Sequence, residues 1–450
     1  MHRIEIFVTM LLLIPALQLP AAPGSSSQGN AKEGQNGSSR EESPAAFSPE
    51  QRLAEETLLL DDLVDEALRN NREIRAAQKK YEASRQRPSQ FSSLPDPLLS
   101  FASNNIGNPI PLTTVGEEDM SMTGFELTQE LPFPGKLPLK GRMAQKEADA
   151  DWHGFREAQL RVVSQIKQAF YRLHFAYQAL EVVQKDKDLL EKFAKITEAR
   201  YAVGKGIQPD VLQAQVELTA LERKVVELER EKGSLEAKLN SLLNRPPDSP
   251  VGRPQDYPKA LLSASLEELY QSARANAPPL GQEQARIEKN TYALELARKE
   301  YYPDFAIETG WASRGRLPNL WMTRVEVKVP LYFWRKQRYA VRESANSLEQ
   351  SRREYEATAQ NLSYRIKDDY LMSKASEQLI ELYSKAMIPQ ATLALESSMA
   401  SYQVGTVDFL SLLTNFLHVL EYELEYYREV ANFHEALARL EETSGRRLLP

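Results

Sequence analysis

The five histidines, His2, His153, His174, His418 and His434, are the residues best suited to bind a metal or move a proton. None stands at the H-E-x-x-H spacing that sets two imidazoles on one helix face, and His434-Glu435 lacks the second His. Packing or surface positions fit them better. Met120, Met122 and Met322 carry soft sulfurs that suit a soft metal in transit, with ordinary apolar contact as the other reading. No phosphate-cradling glycine loop, G-x-S-x-G or dinucleotide fingerprint is present. The expectation is no catalytic residues, no cofactor, no metal site, and no enzyme. The absence of cysteine excludes disulfides, thiolate sites and a lipid-modified Cys in this sequence. A net charge of -7 argues against nucleic acid, which needs clustered Lys and Arg.

The elements that would position any functional surface come next. Arg3, an apolar run from Ile6 to Leu19, and then Ala21 and Ala22 read as a signal peptide over 1–22. Residues 23–56, rich in Gly, Ser, Gln, Asn and Glu, read as a flexible leader. No later run reaches the ~20 apolar residues a spanning helix needs. A membrane crossing would therefore use β-strands.

From Leu59 the spacing of Leu63, Ala67, Leu68 and Ile74 predicts a helix to about Arg87-Pro88. Strands follow at 98–106 and 121–131, closed by Pro132, Pro134, Gly135 and Pro138. Leu160, Val163, Ile166, Phe170, Leu173, Tyr177, Leu180 and Val183 then step by threes and fours, the seam of a long helix over 141–203. Gly204, Gly206 and Pro209 break it, and a second helix covers 210–243. After a Pro-rich linker the order recurs: helix 265–299, strands 304–312 and 321–331 around Arg314-Gly315-Arg316-Leu317-Pro318, helix 336–403 kinked at Pro389, a break at Gly405, and helix 407–443.

The second hairpin alternates most clearly. Phe305, Ile307, Thr309 and Trp311 share one face and Asp304, Glu308 and Gly310 the other. On the return, Thr323, Val325 and Val327 oppose Arg324, Glu326 and Lys328, and Trp321 mirrors Trp311 across the loop. A lipid-facing barrel strand and a soluble hairpin packed on a helix both show this pattern. The lipid-facing reading takes Phe305, Ile307, Trp311, Trp321, Val325 and Val327 as its residues.

The recurrence is a duplication. Tyr201, Val203, Gly204, Leu212 and Glu222 match Tyr402, Val404, Gly405, Leu413 and Glu423 at one fixed shift. Leu60-Asp61-Asp62-Leu63, Ala67 and Asn70 match Leu266-Glu267-Glu268-Leu269, Ala273 and Asn276 at a second. The fold class is mainly α with a small β part, a duplicated helix–β-hairpin–long helix–turn–helix unit. The domains read as 57–245, a linker 246–262, 263–443 and a tail 444–450. Four strands cannot close a membrane barrel, which takes at least ~8. Hairpins in lipid therefore require a homo-oligomer.

The chain resembles the TolC-like outer-membrane-factor (outer membrane efflux protein) family, in the branch paired with heavy-metal and multidrug RND pumps. The resemblance rests on Leu94-Pro95-Asp96-Pro97, on Gln129 to Lys136, on Tyr201-Ala202-Val203-Gly204 with Asp210 to Gln215, and on Ile388-Pro389-Gln390 with Tyr402 to Thr406 and Phe409-Leu410. It covers 57–443. It implies a homotrimer with a 12-stranded β-barrel in the outer membrane, continued by an α-helical barrel in the periplasm. It implies a periplasmic adaptor (membrane fusion) protein, an inner-membrane RND-type pump and outer-membrane lipid as partners. The implied function is a passive duct for metal ions or small toxic compounds. Adaptor-docking tips would involve Tyr201, Val203, Gly204, Asp210, Tyr402, Val404, Gly405 and Leu410. Family members can carry an acidic ring beyond the second tip, but Ser411 and Thr414 occupy those positions here. With Asp408, the nearest carboxylate, they are the candidate periplasmic gate. The alternative is an exported coiled-coil structural or interaction protein without a pore.

Overall fold

Asn71 stops one helix and starts the next. Its side-chain oxygen accepts the N–H groups of Glu73 (2.9 Å) and Ile74 (3.1 Å), capping a helix whose backbone donors would otherwise be unsatisfied. Its amide Nδ2 donates to Leu242 O at 2.8 Å, tying the break to a distant helix end. The stretch expected as one helix is therefore three: α1 (Leu60–Asn70), α2 (Arg72–Ser84) and α3 (Arg87–Ser92). Arg87-Pro88 opens α3 rather than ending a helix, because Pro is well suited to a first helical turn. The expected helix 265–299 is likewise two, α6 (Leu266–Asn276) and α7 (Pro278–Lys299), divided at Ala277. Here Pro278 favours extended backbone at the residue before it. Different residues thus produce the same bend in both copies of the repeat.

The computed structural model describes residues 57–257 and 262–448. The expected signal peptide (1–22) and leader (23–56) lie outside the described residues, as do 258–261 of the expected linker. Between the short helices come β1 (Leu98–Asn104), β2 (Met122–Leu131), α4 (Lys136–Ala202) and α5 (Gln208–Leu243). The second copy supplies β3 (Asp304–Arg314), β4 (Leu317–Lys328), α8 (Gln337–Leu382), α9 (Ile388–Val404) and α10 (Phe409–Ser444).

The 67 residues of α4 span about 100 Å at 1.5 Å each. Its start is fixed by Gly135, whose φ of +93° is open to glycine at little cost. Pro138, expected to close the β region, lies in the first turn of α4, where a missing N–H costs nothing. Of the expected seam, Ile166, Phe170, Leu173 and Val183 are buried, and Ala158, Ala169, Ala176 and Ala179 are buried as fully. These alanines let α4 pack against α1, α2, α5, α7 and α10 together. The matched pairs Leu63/Leu269 and Ala67/Ala273 enter one core with Ile166, Phe170, Phe433 and Leu437. A second core, holding Phe193, Leu221, Leu228, Phe409, Leu412 and Phe416, fills the helices nearer the turns.

The expected kink at Pro389 takes the form of a π-turn at Tyr383–Met387 between α8 and α9. Pro389 has no N–H and its ring crowds the preceding turn, so the helix widens by one residue. Ile388 N–H then bonds to Tyr383 O. The linker is partly buried too. Tyr257 packs 4.8 Å from Tyr171 and 4.5 Å from His434, centroid to centroid.

The four strands form one antiparallel sheet in the order β1-β2-β3-β4, so β2 and β3 join the two copies of the repeat. The second hairpin turns on Gly315 (φ +66°) and Arg316 alone. Leu317 and Pro318, expected in the loop, belong to β4, which ends at Lys328 rather than 331. Among the described residues no helix is long and apolar enough to cross a membrane.

Candidate functional site

The sheet offers one surface. Its register aligns Phe101, Phe125, Trp311 and Trp321 in a single row across all four strands. Side chains alternate along a strand, so all four lie on one face. Leu99, Leu127, Phe305, Ile307, Val325 and Val327 fall on that face by the same rule, which unites every expected lipid-facing residue. The face is uncovered: Trp321 is 75% exposed, and Phe101, Phe125, Ile307, Val325 and Val327 are exposed with it. The opposite face carries Glu126, Glu308, Arg324 and Glu326, with Arg324 Nη1 3.1 Å from Glu308 Oε2. Gly124 lets β2 and β3 approach, since a Cβ there would stand 2.0 Å from Trp311 O. The outer edges of β1 and β4 pair with no other described strand.

The two helical turns offer the other surface, and they are built alike. Lys205 N–H bonds to Arg200 O (2.8 Å) and Gly204 N–H to Tyr201 O (3.0 Å). In the second copy Thr406 N–H bonds to Ser401 O (3.0 Å) and Gly405 N–H to Tyr402 O (3.1 Å). Both are Schellman closures requiring a left-handed residue, and Gly204 (φ +71°) and Gly405 (φ +80°) supply it. Tyr201, Val203, Val404 and Leu410 are exposed apolar groups around these turns, and Asp210 is half-buried.

Tyr402 differs from the other expected tip residues. It is 5% exposed, with its ring centroid 5.9 Å from Phe409 and its hydroxyl 3.3 Å from Thr197 Oγ1. Its side chain is a pin inside the paired turns rather than part of their surface. Arg200 completes the pin from the first copy: its guanidinium lies 4.6 Å from the Tyr402 ring centre and donates to Tyr402 O. Sequence reading missed Arg200 and Thr197. The aligned position to Arg200 is Ser401, so the duplication gave no signal for it.

Asp408, Ser411 and Thr414 are exposed on the entry to α10. Asp408 caps that helix, accepting Ser411 N–H at 2.9 Å. Hydrogen bonds from the Ser411 hydroxyl and backbone hold the Asp408 carboxyl below its usual range. Burial raises the Asp210 carboxyl, the Asp408 charge raises it further and Arg200 opposes both. The two acidic groups and one cation thus share a field spanning both turns. Among the described residues no cluster of three or more His, Cys, Asp or Glu could hold a metal. His174 bonds to Asp256 at 2.9 Å, and His153 packs so closely on Gly281 that a Cβ there would lie 2.4 Å from its ring.

Residues 63–245 and 269–446 match the family described as outer membrane efflux protein. The cobalt-zinc-cadmium resistance protein CzcC of Cupriavidus metallidurans is 21% identical over 402 residues, 86% of this chain and 90% of that protein. The probable outer membrane lipoprotein SilC of Salmonella typhimurium is 20% identical over 366 residues, 78% of each. Among solved structures, CusC, described in terms of folding and transmembrane channel formation, superposes with a TM-score of 0.73 at 15% identity, over 89% of this chain and 95% of that one.

Proposed function

The chain belongs to the outer membrane efflux protein family, a family of transport ducts rather than enzymes, and we propose that it is the outer-membrane channel subunit of a tripartite efflux system. The observation that carries this reading is the open four-stranded sheet with its uncovered aromatic row. In water that face would favour aggregation, and in lipid the unpaired edges would cost several kcal/mol per group. Both problems end when sister copies add their sheets. Three copies make a 12-stranded barrel, with the long helices of each continuing the wall as an α-helical barrel through the periplasm.

In this reading the charged face, with Glu126, Glu308 and Arg324, lines the pore. The exposed Tyr201, Val203, Val404 and Leu410 dock a periplasmic adaptor, and Gly204 and Gly405 shape the turns that present them. Asp408, Ser411 and Thr414 ring the periplasmic mouth, with Asp210 beside them. An inner-membrane RND-type pump supplies the energy, since the duct itself moves cargo passively. The name of CzcC, a cobalt-zinc-cadmium resistance protein, favours divalent metal ions as cargo. Small toxic compounds are the other class. Planar-bilayer conductance of the purified protein tests the reading: discrete channel events support it, and their absence from a detergent-extracted, folded oligomer ends it.

A further inference from the structure

The two copies of the repeat leave their hairpins differently. In the first, residues 132–135 lead from β2 into α4, and the next residue, Lys136, is neutralised. Its side chain is 3% exposed, with Nζ 2.8 Å from Asp304 and 3.2 Å from Glu300. In the second, the longer stretch 329–336 leads from β4 into α8 and is exposed over 331–336. Tyr332, Phe333 and Trp334 are all exposed there, although their rings touch, with centroids 5.1 Å apart for Phe333–Trp334 and 6.1 Å for Tyr332–Trp334. Tyr301 extends the cluster, 6.4 Å from Phe333.

Four cations follow at once: Arg335, Lys336, Arg338 and Arg342, all exposed. Among the described residues none of them has a carboxylate within salt-bridge distance. The first turn of α8 contains no acidic residue either. Lys336 and Arg338, at the N-terminus of α8, oppose the helix dipole, a placement that costs stability unless an anion from outside answers it, while Arg342 lies beyond the first turn, 5.5 Å from the Tyr339 ring centre. The chain as a whole is acidic, at -7, which makes a bare basic patch harder to attribute to composition.

We propose that Tyr332 to Arg342 forms a collar that binds the phosphate headgroups of anionic phospholipid, in the membrane leaflet nearest the helices. The inference rests on the barrel reading of the sheet. The apolar face runs through Val325 and Val327 to the strand end, so Tyr332, Phe333 and Trp334 stand where the hydrocarbon band stops. Amphipathic rings favour that boundary. The cations lie one short turn beyond, at the depth of the phosphates, and each gains from a negative surface potential. Phosphate suits Arg in particular, because the guanidinium fork can hold two oxygens at once.

The test uses the full chain reconstituted into phosphatidylcholine vesicles that contain either brominated phosphatidylglycerol or brominated phosphatidylcholine at equal mole fraction. Trp334→Phe identifies the fluorescence that Trp334 contributes. Bromine on phosphatidylglycerol should quench it more strongly than bromine on phosphatidylcholine. The preference should fall by up to roughly 5-fold per cation removed, and be lost in the combined Arg335→Gln, Lys336→Gln, Arg338→Gln, Arg342→Gln variant. Equal quenching by the two lipids in the wild-type chain overturns the collar, as does a preference that survives in the variant. An oligomer that falls apart in lipid-free detergent only when the four cations are removed also overturns it, because their partner is then a second copy. If neither lipid quenches Trp321, the barrel reading has failed beneath it.

Discussion

The Arg200 guanidinium, at the end of the first long helix, lies 4.6 Å from the Tyr402 ring centre at the end of the second, and also donates to the Tyr402 carbonyl oxygen. One side chain thus ties the two turns of a single chain together. A cation–π contact and a charged hydrogen bond at a half-buried site hold the turns in register, and removing them should cost about 1–2 kcal/mol, a roughly 5- to 30-fold rise in the population with the two turns apart. On the proposed channel reading, with the turns apart in the open state, Arg200→Ala should raise single-channel open probability, while the melting temperature of the oligomer barely moves. Recordings from planar bilayers check this, with Arg200→Lys recovering only part of the closure because it keeps the charge and loses the fork.

Gly124 is a position where any side chain meets backbone. A Cβ there would fall 2.0 Å from Trp311 O, so Gly124→Ala should break the β2–β3 pairing and prevent the proposed oligomer from forming, read as loss of any high-mass band on an unheated gel. Gly233→Ala is the control. That glycine lies in a helix with nothing within 4 Å, so the change should stabilise the chain by about 0.5–1 kcal/mol.

Asp186 gives a pH dependence. It is 4% exposed, and one carboxylate oxygen has no hydrogen-bond partner. Burial, then the charge of Glu423 on α10, push its carboxyl up to about 6, while Lys185 on its own helix opposes the rise. A carboxyl raised in the folded state stabilises fully below its unfolded pKa of ~3.9 and loses that contribution as pH climbs through the folded value. Stability should fall between about pH 4 and 6 from this group, by about 1–2 kcal/mol after allowance for solvent screening. Asp186→Asn should flatten that slope and melt later than wild type at pH 7.5.

Lys167 and Glu441 form an ion pair with side chains only 8% and 10% exposed, at 2.5 Å. Lys167→Met removes one cation from beside Glu441, which still accepts Leu448 N–H, and should cost about 1–3 kcal/mol. Replacing both residues by apolar ones should recover most of the loss. Thermal unfolding of the two variants at pH 7.5 checks the order.

Much of this fold is legible in the sequence because the helices are long and the duplication repeats their breaks. Gly204 and Gly405 mark the turns because only a left-handed residue closes them cheaply. The breaks at Asn71 and Ala277 escape periodicity, since the apolar spacing runs straight through both. The aromatic row was hidden for a different reason: Phe101 and Phe125 look isolated along the chain and align with Trp311 and Trp321 only through strand register. The pin at Tyr402 was hidden because its partners, Thr197 and Arg200, lie in the other copy, and no local pattern connects them.

The proposed barrel requires β1 of one copy to pair with β4 of the next, and a cross-link reads that pairing. The chain has no cysteine of its own. Within one copy two strands separate these edges, putting them ~14 Å apart, beyond the ~7 Å reach of a disulfide. Ser103→Cys should be combined in turn with single cysteine substitutions along 319–328 and oxidised in the membrane. One register should yield covalent dimers and trimers on a non-reducing gel, collapsing to monomer with reductant. Monomer alone at every position, from a folded and membrane-extracted protein, would contradict it.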